Sequence, residues 1–230
     1  MLNEILIIIS ILFSYGTVVF MFKFLKLEGL YVWISIATIL ANIEVAILVI
    51  AFGMEQTLGN ALFASTFLAT DIISEFYGKE KAKKAVLIGC ITSVIFIVFS
   101  RLWILYIPSE NDFVHTSVKT LFSNTPRILI ASLLSYIISQ YLDVWLYHKW
   151  WNLTEKITKS KDKFLWLRNN GSTLISQAVN ITLFNFLAFW SVYDFKTLFS
   201  ITLSCYVIYI FTSLLDTPFI YLAKKINNKT

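Results

Sequence analysis

Two carboxylates four residues apart close a long apolar stretch of this chain, Leu68-Ala69-Thr70-Asp71-Ile72-Ile73-Ser74-Glu75-Phe76-Tyr77-Gly78. On an α-helix that spacing places Asp71 and Glu75 on one face, with Thr70 and Ser74 beside them. An acid inside an apolar span is costly unless it meets a wet cavity or a partner, so it reads as a functional position. The blander reading for Glu75 is an ion pair near the end of the span, because Lys79, Lys81, Lys83 and Lys84 follow at once. Other apolar stretches carry their own polar groups: Asn42 and Glu44, then Asn60, then Arg101, then Ser139, Gln140 and Asp143, then Ser176, Gln177, Asn180 and Asn185, and last Ser213 and Asp216. Carboxylates and amides held together in an apolar interior would take a cationic or donor-rich ligand. A planar heterocycle with N–H groups fits, since one carboxylate can accept a pair of N–H bonds. The 20 Phe, 11 Tyr and 7 Trp could stack on such a ring, although most are more simply lipid-facing or interfacial.

Composition fixes the setting for these groups. Of 230 residues, 57% are hydrophobic and 14% charged, and the mean hydropathy is +0.72. Soluble domains run nearer 45–50% apolar and about 25% charged. The reading is an all-α, polytopic transmembrane helical bundle forming a single unit. A hydrocarbon core of about 30 Å needs about 20 helical residues, and seven stretches meet or approach that length. They are Ile5–Phe22, Leu30–Phe52, Leu58–Phe76, Ala85–Ile107, Ile128–Tyr147, Ser172–Trp190 and Leu198–Ala223. The third is the weakest by hydropathy because of its polar stripe. The first reads as a span rather than a cleaved leader, since no basic segment precedes it.

If all seven cross, 15 of the 19 basic residues fall on one side. They include Lys23 and Lys26, the cluster Lys79–Lys84, the run from Lys149 to Arg168 with Lys161 inside it, and Lys224, Lys225 and Lys229. The positive-inside rule then predicts N-terminus out and C-terminus in. Residues 108–126 become an outer loop. Residues 148–170 become a basic inner loop able to meet anionic headgroups of the lipid bilayer.

Spacing sharpens the argument. Asn60, Ala64, Leu68, Asp71 and Glu75 form a stripe at helical period. So do Ser132, Tyr136, Gln140, Asp143 and Tyr147, and again Thr173, Gln177, Asn180 and Phe184. Three narrow polar stripes on apolar helices imply a shared interior. On the stated topology Asp71, Asp143, Asp216, Gln177 and Asn180 lie at a similar depth, as in a pocket within a bundle. Serines and amides can also serve as helix–helix glue, and for Ser132, Ser135, Ser139 and Ser176 that is the preferred reading. Ser139-Gln140-Tyr-Leu-Asp143 recurs as Ser176-Gln177-Ala-Val-Asn180 in helices of opposite sense, a trace of the kind that pseudo-symmetric transporters leave.

Several classes are excluded or disfavoured. Cys90 and Cys205 sit apart in apolar spans, and His115 and His148 stand alone, so neither disulfides nor a metal site is expected. The basic residues lie between apolar runs, so nucleic acid is not a partner. There is no GxxxxGK[ST] loop, so direct use of ATP would need another chain. No nucleophile or ligand set accompanies the acids, so an enzyme is not expected and no cofactor is called for.

At these residues the chain resembles the queuosine precursor transporter family, also described as vitamin-uptake transporters. The matching stretches include Ala41-Asn42-Ile43, Thr57-Leu-Gly-Asn60, Asp71 through Gly78, Ala131-Ser132-Leu133, Ser139 through Val144, Leu165 through Thr173, Ser176-Gln177 and Asp216-Thr-Pro218. The resemblance implies a bacterial inner-membrane importer of 7-deazaguanines: queuine, or the cyano and aminomethyl precursors. It implies a substrate site drawn from Asn42, Asp71, Glu75, Gln140, Asp143, Gln177 and Asn180, with Glu44, Arg101, Arg168 and Asp216 as candidates for charge balance or coupling. Asn180 departs from the Asp expected after the second Ser-Gln pair. Many relatives look six-spanned, which makes residues 1–27 an extra N-terminal span and 28–223 the core. A binding subunit served by a separate ATPase, an intramembrane enzyme, and a homo-oligomer remain open at this stage.

Overall fold

The computed structural model describes residues 2–123, 126–160 and 163–228. Lys161 and Lys229, counted above among the inner basic residues, lie outside them. The elements in chain order are α1 (Leu2–Glu44), β1 (Leu48–Ala51), β2 (Met54–Thr57), α2 (Gly59–Tyr77), α3 (Lys79–Leu105), α4 (His115–Ser123), α5 (Pro126–Thr158), α6 (Leu165–Phe189) and α7 (Phe195–Asn227). Long apolar runs become helices because a helix satisfies every backbone N–H and C=O within its own segment. Five of them, α1, α3, α5, α6 and α7, are long and apolar enough to cross a membrane. The 19-residue α2 is not in that set; its threonines, serines and acids lower its hydropathy.

A straight helix of 43 residues would be about 65 Å long, yet both ends of α1 meet the same β-hairpin. Asn3 Nδ2 donates to the Ile50 carbonyl at 2.9 Å, and the Phe52 amide donates to Glu4 Oε1 at 3.2 Å. The hairpin begins four residues after Glu44, so α1 must double back. It does so at Lys26, whose φ of 52° and ψ of −132° are not helical. The first two expected spans are therefore the two arms of α1.

The second expected span, Leu30–Phe52, is too long. Helix ends at Glu44, and β1 pairs antiparallel with β2 in the register Leu48 to Thr57 and Ala51 to Met54. Phe52 and Gly53, both at positive φ, form the two-residue turn that suits the twist of a hairpin. The run Val45 to Phe52 is apolar and partly β-branched, and hydropathy does not separate a strand from a helix in such a run. The expected basic loop 148–170 is also shorter than predicted. Helix α5 continues to Thr158 and α6 starts at Leu165, so Arg168 is a helical residue. The expected outer loop 108–126 contains α4.

Helices α5 and α6 form one closely packed pair and the two arms of α1 embrace α2. Only Gly78, at φ 83° and ψ 172°, separates α2 from α3. Side chains sort inside out relative to a soluble protein. Phe13, Phe20, Ile95, Val98, Leu203 and Phe211 face outward, while Asp71, Asp143, Asp216, Arg168, Gln140 and Gln177 are at most 1% exposed.

Candidate functional site

The buried polar groups form a column between α2, α5, α6 and α7. At one end Arg168 of α6 grips Glu75 of α2 with two hydrogen bonds, Nε to Oε2 at 2.9 Å and Nη2 to Oε1 at 2.5 Å. Tyr147 of α5 donates its hydroxyl to the same Oε2 at 2.8 Å. The third guanidinium nitrogen donates to the Lys163 carbonyl at 3.0 Å, and the Trp151 ring lies 4.3 Å from the guanidinium carbon. A planar guanidinium suits this arrangement, matching a carboxylate edge-on and an aromatic ring face-on. The pair resolves the question left by sequence: Glu75 pairs with a buried arginine of α6, not with the lysines that follow it. A hollow of about 230 Å³ lined by Glu75, His148 and Trp151 adjoins this end.

One to two turns along the column lies a layer of three acids. Asp71 Oδ2 accepts from Thr173 Oγ1 at 3.2 Å, Asp143 Oδ1 from Ser176 Oγ at 2.8 Å, and Asp216 Oδ1 from Asn169 Nδ2 at 2.6 Å. Helix α6 thus supplies one donor to each of the three neighbouring helices. The Asp71 and Asp143 carboxyls lie near enough to interact, and Asp216 interacts electrostatically with both. Asp71 Oδ1, Asp143 Oδ2 and Asp216 Oδ2 have no partner among the described residues. Carboxylates in contact repel one another unless a proton, a cation or an N–H donor lies between them. Arg168 cannot serve, because Glu75 already occupies it. The layer can therefore take a proton, a cation or an N–H donor between its carboxyls.

Above the acids, Gln140 donates to Thr66 Oγ1 at 2.8 Å and accepts from Thr70 Oγ1 at 3.2 Å. Its amide is spent on α2 and holds α5 in register. Gln177 differs: it is 1% exposed, yet neither amide atom has a partner among the described residues. Asn180 accepts from Ser139 Oγ at 3.3 Å, so the repeated Ser-Gln motifs do face each other across the α5–α6 contact. Beyond them is a second, small hollow of about 40 Å³, bounded by Asn60, Ser132, Asn180 and Tyr209.

Of the residues singled out from sequence, Asp71, Glu75, Gln140, Asp143, Gln177, Asn180, Arg168 and Asp216 meet in this column. Asn42 stands at its edge, donating to the Thr38 carbonyl at 2.8 Å and accepting weakly from Ser132 at 3.5 Å. Glu44, at the end of α1, and Arg101, toward the far end of α3, are half-exposed and bond to none of the column groups. Sequence reasoning did not assign Asn169, Tyr147 or Tyr209. Tyr147 lay on the α5 stripe one turn past Asp143, a signal that was present. Asn169 lay within the matching stretch Leu165 through Thr173, directly after Arg168, whereas Tyr209 is recognised only by what it touches.

The sequence profile of the family described as Putative vitamin uptake transporter matches residues 57–223, from the end of the hairpin to the last turn or so of α7. The chain belongs to this family. Among its relatives, the Probable queuosine precursor transporter of Bacillus subtilis (strain 168) is 39% identical over 197 residues, covering 86% of this chain and 84% of that protein. The Queuosine precursor transporter of Escherichia coli (strain K12) is 28% identical over 163 residues, covering 69% and 68%. No solved structure matches the chain. Every group in the acid layer lies within the vitamin uptake transporter match, and so do α5 and α6 entire.

Proposed function

We propose that this membrane transporter imports queuosine precursors, the 7-deazaguanine bases queuine or its cyano and aminomethyl precursors, across the bacterial inner membrane. The observation that carries the reading is the acid layer: three buried carboxyls from three helices, each with one oxygen unpartnered, inside a bundle with a hollow at each end. A deazaguanine presents ring and exocyclic N–H groups, and unpaired carboxylate oxygens are their natural acceptors. Asp71 and Asp143 take these N–H donors, with Gln177, Asn180 and Asn42 toward the hollow above. Gln140 shapes the wall while bonded to α2. The names of both relatives point to the same class of substrate.

The topology that goes with this reading has seven crossings, the two arms of α1 followed by α2, α3, α5, α6 and α7, with N-terminus out and C-terminus in. The first arm is read as an addition to a core of residues 28–223; the family match itself spans residues 57–223 and includes neither arm of α1. On this topology the hairpin and the small hollow beside Asn60 and Asn180 face outward, and the Glu75–Arg168 pair closes the cytoplasmic side. Import by alternating access requires that pair to part. The test is uptake of labelled queuine and of the two precursors by purified protein in liposomes without ATP. Saturable uptake of at least one base supports the proposal. Absence of uptake of all three, with the protein folded and inserted, overturns it, and uptake that appears only with an added ATPase chain would make this protein a binding subunit.

A further inference from the structure

Asp216 stands apart from the other two acids of the layer. Its Oδ1 accepts from Asn169 Nδ2 at 2.6 Å, while its Oδ2 has no partner among the described residues, and neither has Asn169 Oδ1. Both side chains are buried, Asp216 at 1% exposed and Asn169 at 0%. A carboxylate and an amide joined by one N–H···O bond thus leave two bare oxygens, one on each planar group. Two lone-pair edges cannot satisfy each other, and a buried acceptor without a donor costs about 1–3 kcal/mol. One hydrogen on Asp216 Oδ2 removes both deficits. A carboxylic acid donates to the amide oxygen while accepting from the amide nitrogen, which closes a two-bond ring.

The surroundings make this hydrogen consequential. Helix α6 also holds α7 through the next residue, where Asn170 donates to Thr217 Oγ1 at 2.7 Å and accepts from Ser213 at 3.2 Å. Pro218 follows inside α7 and brings no N–H, so the Leu214 carbonyl loses its helical donor. The α6–α7 clasp therefore sits at a weak point of the helix. The ionisable groups facing Asp216 are Tyr15 of α1, whose hydroxyl donates to the Thr212 carbonyl, Asp71 of α2 and Asp143 of α5. Among the described residues no free cation joins them, since Arg168 of α6 is bound to Glu75. A negative Asp216 disfavours negative charge on Asp71 and Asp143, and a neutral one lifts that penalty.

We infer that Asp216 and Asn169 form the proton site of the transporter, distinct from the carboxyls that take the base. A proton from the outer side binds Asp216 Oδ2, crosses with the base and leaves to the cytoplasm when α6 and α7 part. Its presence lets Asp71 and Asp143 carry the charge that accepts the N–H groups of the base, so proton and base favour each other's binding reciprocally. With the proton gone, the lone pairs of Asp216 and of Asn169 Oδ1 oppose each other and the clasp weakens. A pH gradient, acid outside, then drives accumulation.

The inference rests on the transport reading, and the experiment tells the two apart. Purified protein in liposomes, with the membrane potential clamped at zero, is given labelled queuine and its two precursors with and without a one-unit pH step, acid outside. For one proton per base, wild type accumulates base up to about 10-fold. Asp216→Asn keeps the ring through its own amide but has no proton to release. It is expected to exchange base for base yet never to accumulate it above the outside level. Accumulation by Asp216→Asn equal to that of wild type overturns the site. So does wild-type uptake that ignores the pH step, or that follows a sodium gradient instead. If Asp216→Asn does not fold, the wild type decides: a pH-sensitive dye in the outer medium should report alkalinisation when base is added, and a flat trace overturns the inference. If wild type takes up none of the bases in either condition, the transport reading itself has failed, and the proton site falls with it.

Discussion

Replacing Arg168 by methionine would leave Glu75 as a buried carboxylate whose remaining partner is Tyr147. The Arg168 side chain is fully buried and that of Glu75 is 6% exposed, so water makes a poor substitute for the guanidinium's two hydrogen bonds. Breaking one side of a buried pair costs about 3–5 kcal/mol, whereas replacing both partners by neutral groups of similar volume costs far less and can stabilise. A double-mutant cycle separates these terms. Arg168→Met is expected to lose about 3–5 kcal/mol, which on the scaling for chains of 150–250 residues lowers Tm by about 6–20 °C. Adding Glu75→Gln should recover most of that loss. The assay is thermal unfolding of detergent-purified protein followed by circular dichroism for wild type, both single variants and the double. An Arg168→Met variant within about 1 kcal/mol of wild type, or a coupling below about 0.5 kcal/mol, would refute the claim that this pair holds α2 to α6. Conversely, if the pair is the inner gate, the double variant should melt near wild type but show altered transport rates.

Two further outcomes follow from local geometry. Gly78 has φ 83° and ψ 172°, a region open essentially to glycine, so Gly78→Ala should destabilise by about 1–3 kcal/mol, read as a fall in Tm. Asp194 caps α7, accepting from Thr197 Oγ1 and from the backbone amides of Lys196 and Thr197, and the Thr197 hydroxyl followed by those amides holds its carboxyl below the usual value. A depressed folded-state pKa gives stability that is present above the unfolded value of about 3.9 and is lost as pH falls through the folded one. The Tm difference between wild type and Asp194→Ala should therefore be larger at pH 7 than at pH 3, and a gap that does not narrow on acidification would contradict the cap.

The helices were legible because the bilayer imposes one length and one hydrogen-bonding solution on every spanning segment. Stripes at helical period on α2, α5 and α6 also placed Asp71, Asp143 and Gln177 on inward faces, since a polar group finds no partner in lipid. The hairpin at residues 48–57 was not legible, because an apolar run with a β-branched centre has the same hydropathy in either conformation. Nor was the partner of Glu75. Four lysines lie close to it in sequence and Arg168 lies 93 positions away, and only the antiparallel packing of α6 against α2 brings the arginine near. Glu44 and Arg101 illustrate the converse: charge within an apolar stretch does not by itself say on which face the residue lies.

The most direct test of the acid layer as the substrate site is uptake of labelled queuine and its two bacterial precursors by cells unable to synthesise them, comparing wild type with Asp71→Asn and Asp143→Asn at matched membrane expression. Each substitution replaces an unpartnered acceptor with an amide that must also find acceptors for its own N–H groups. The account predicts that uptake falls by about 10-fold or more in both variants, equivalent to about 1.4 kcal/mol of lost interaction. Uptake equal to wild type in both would contradict it.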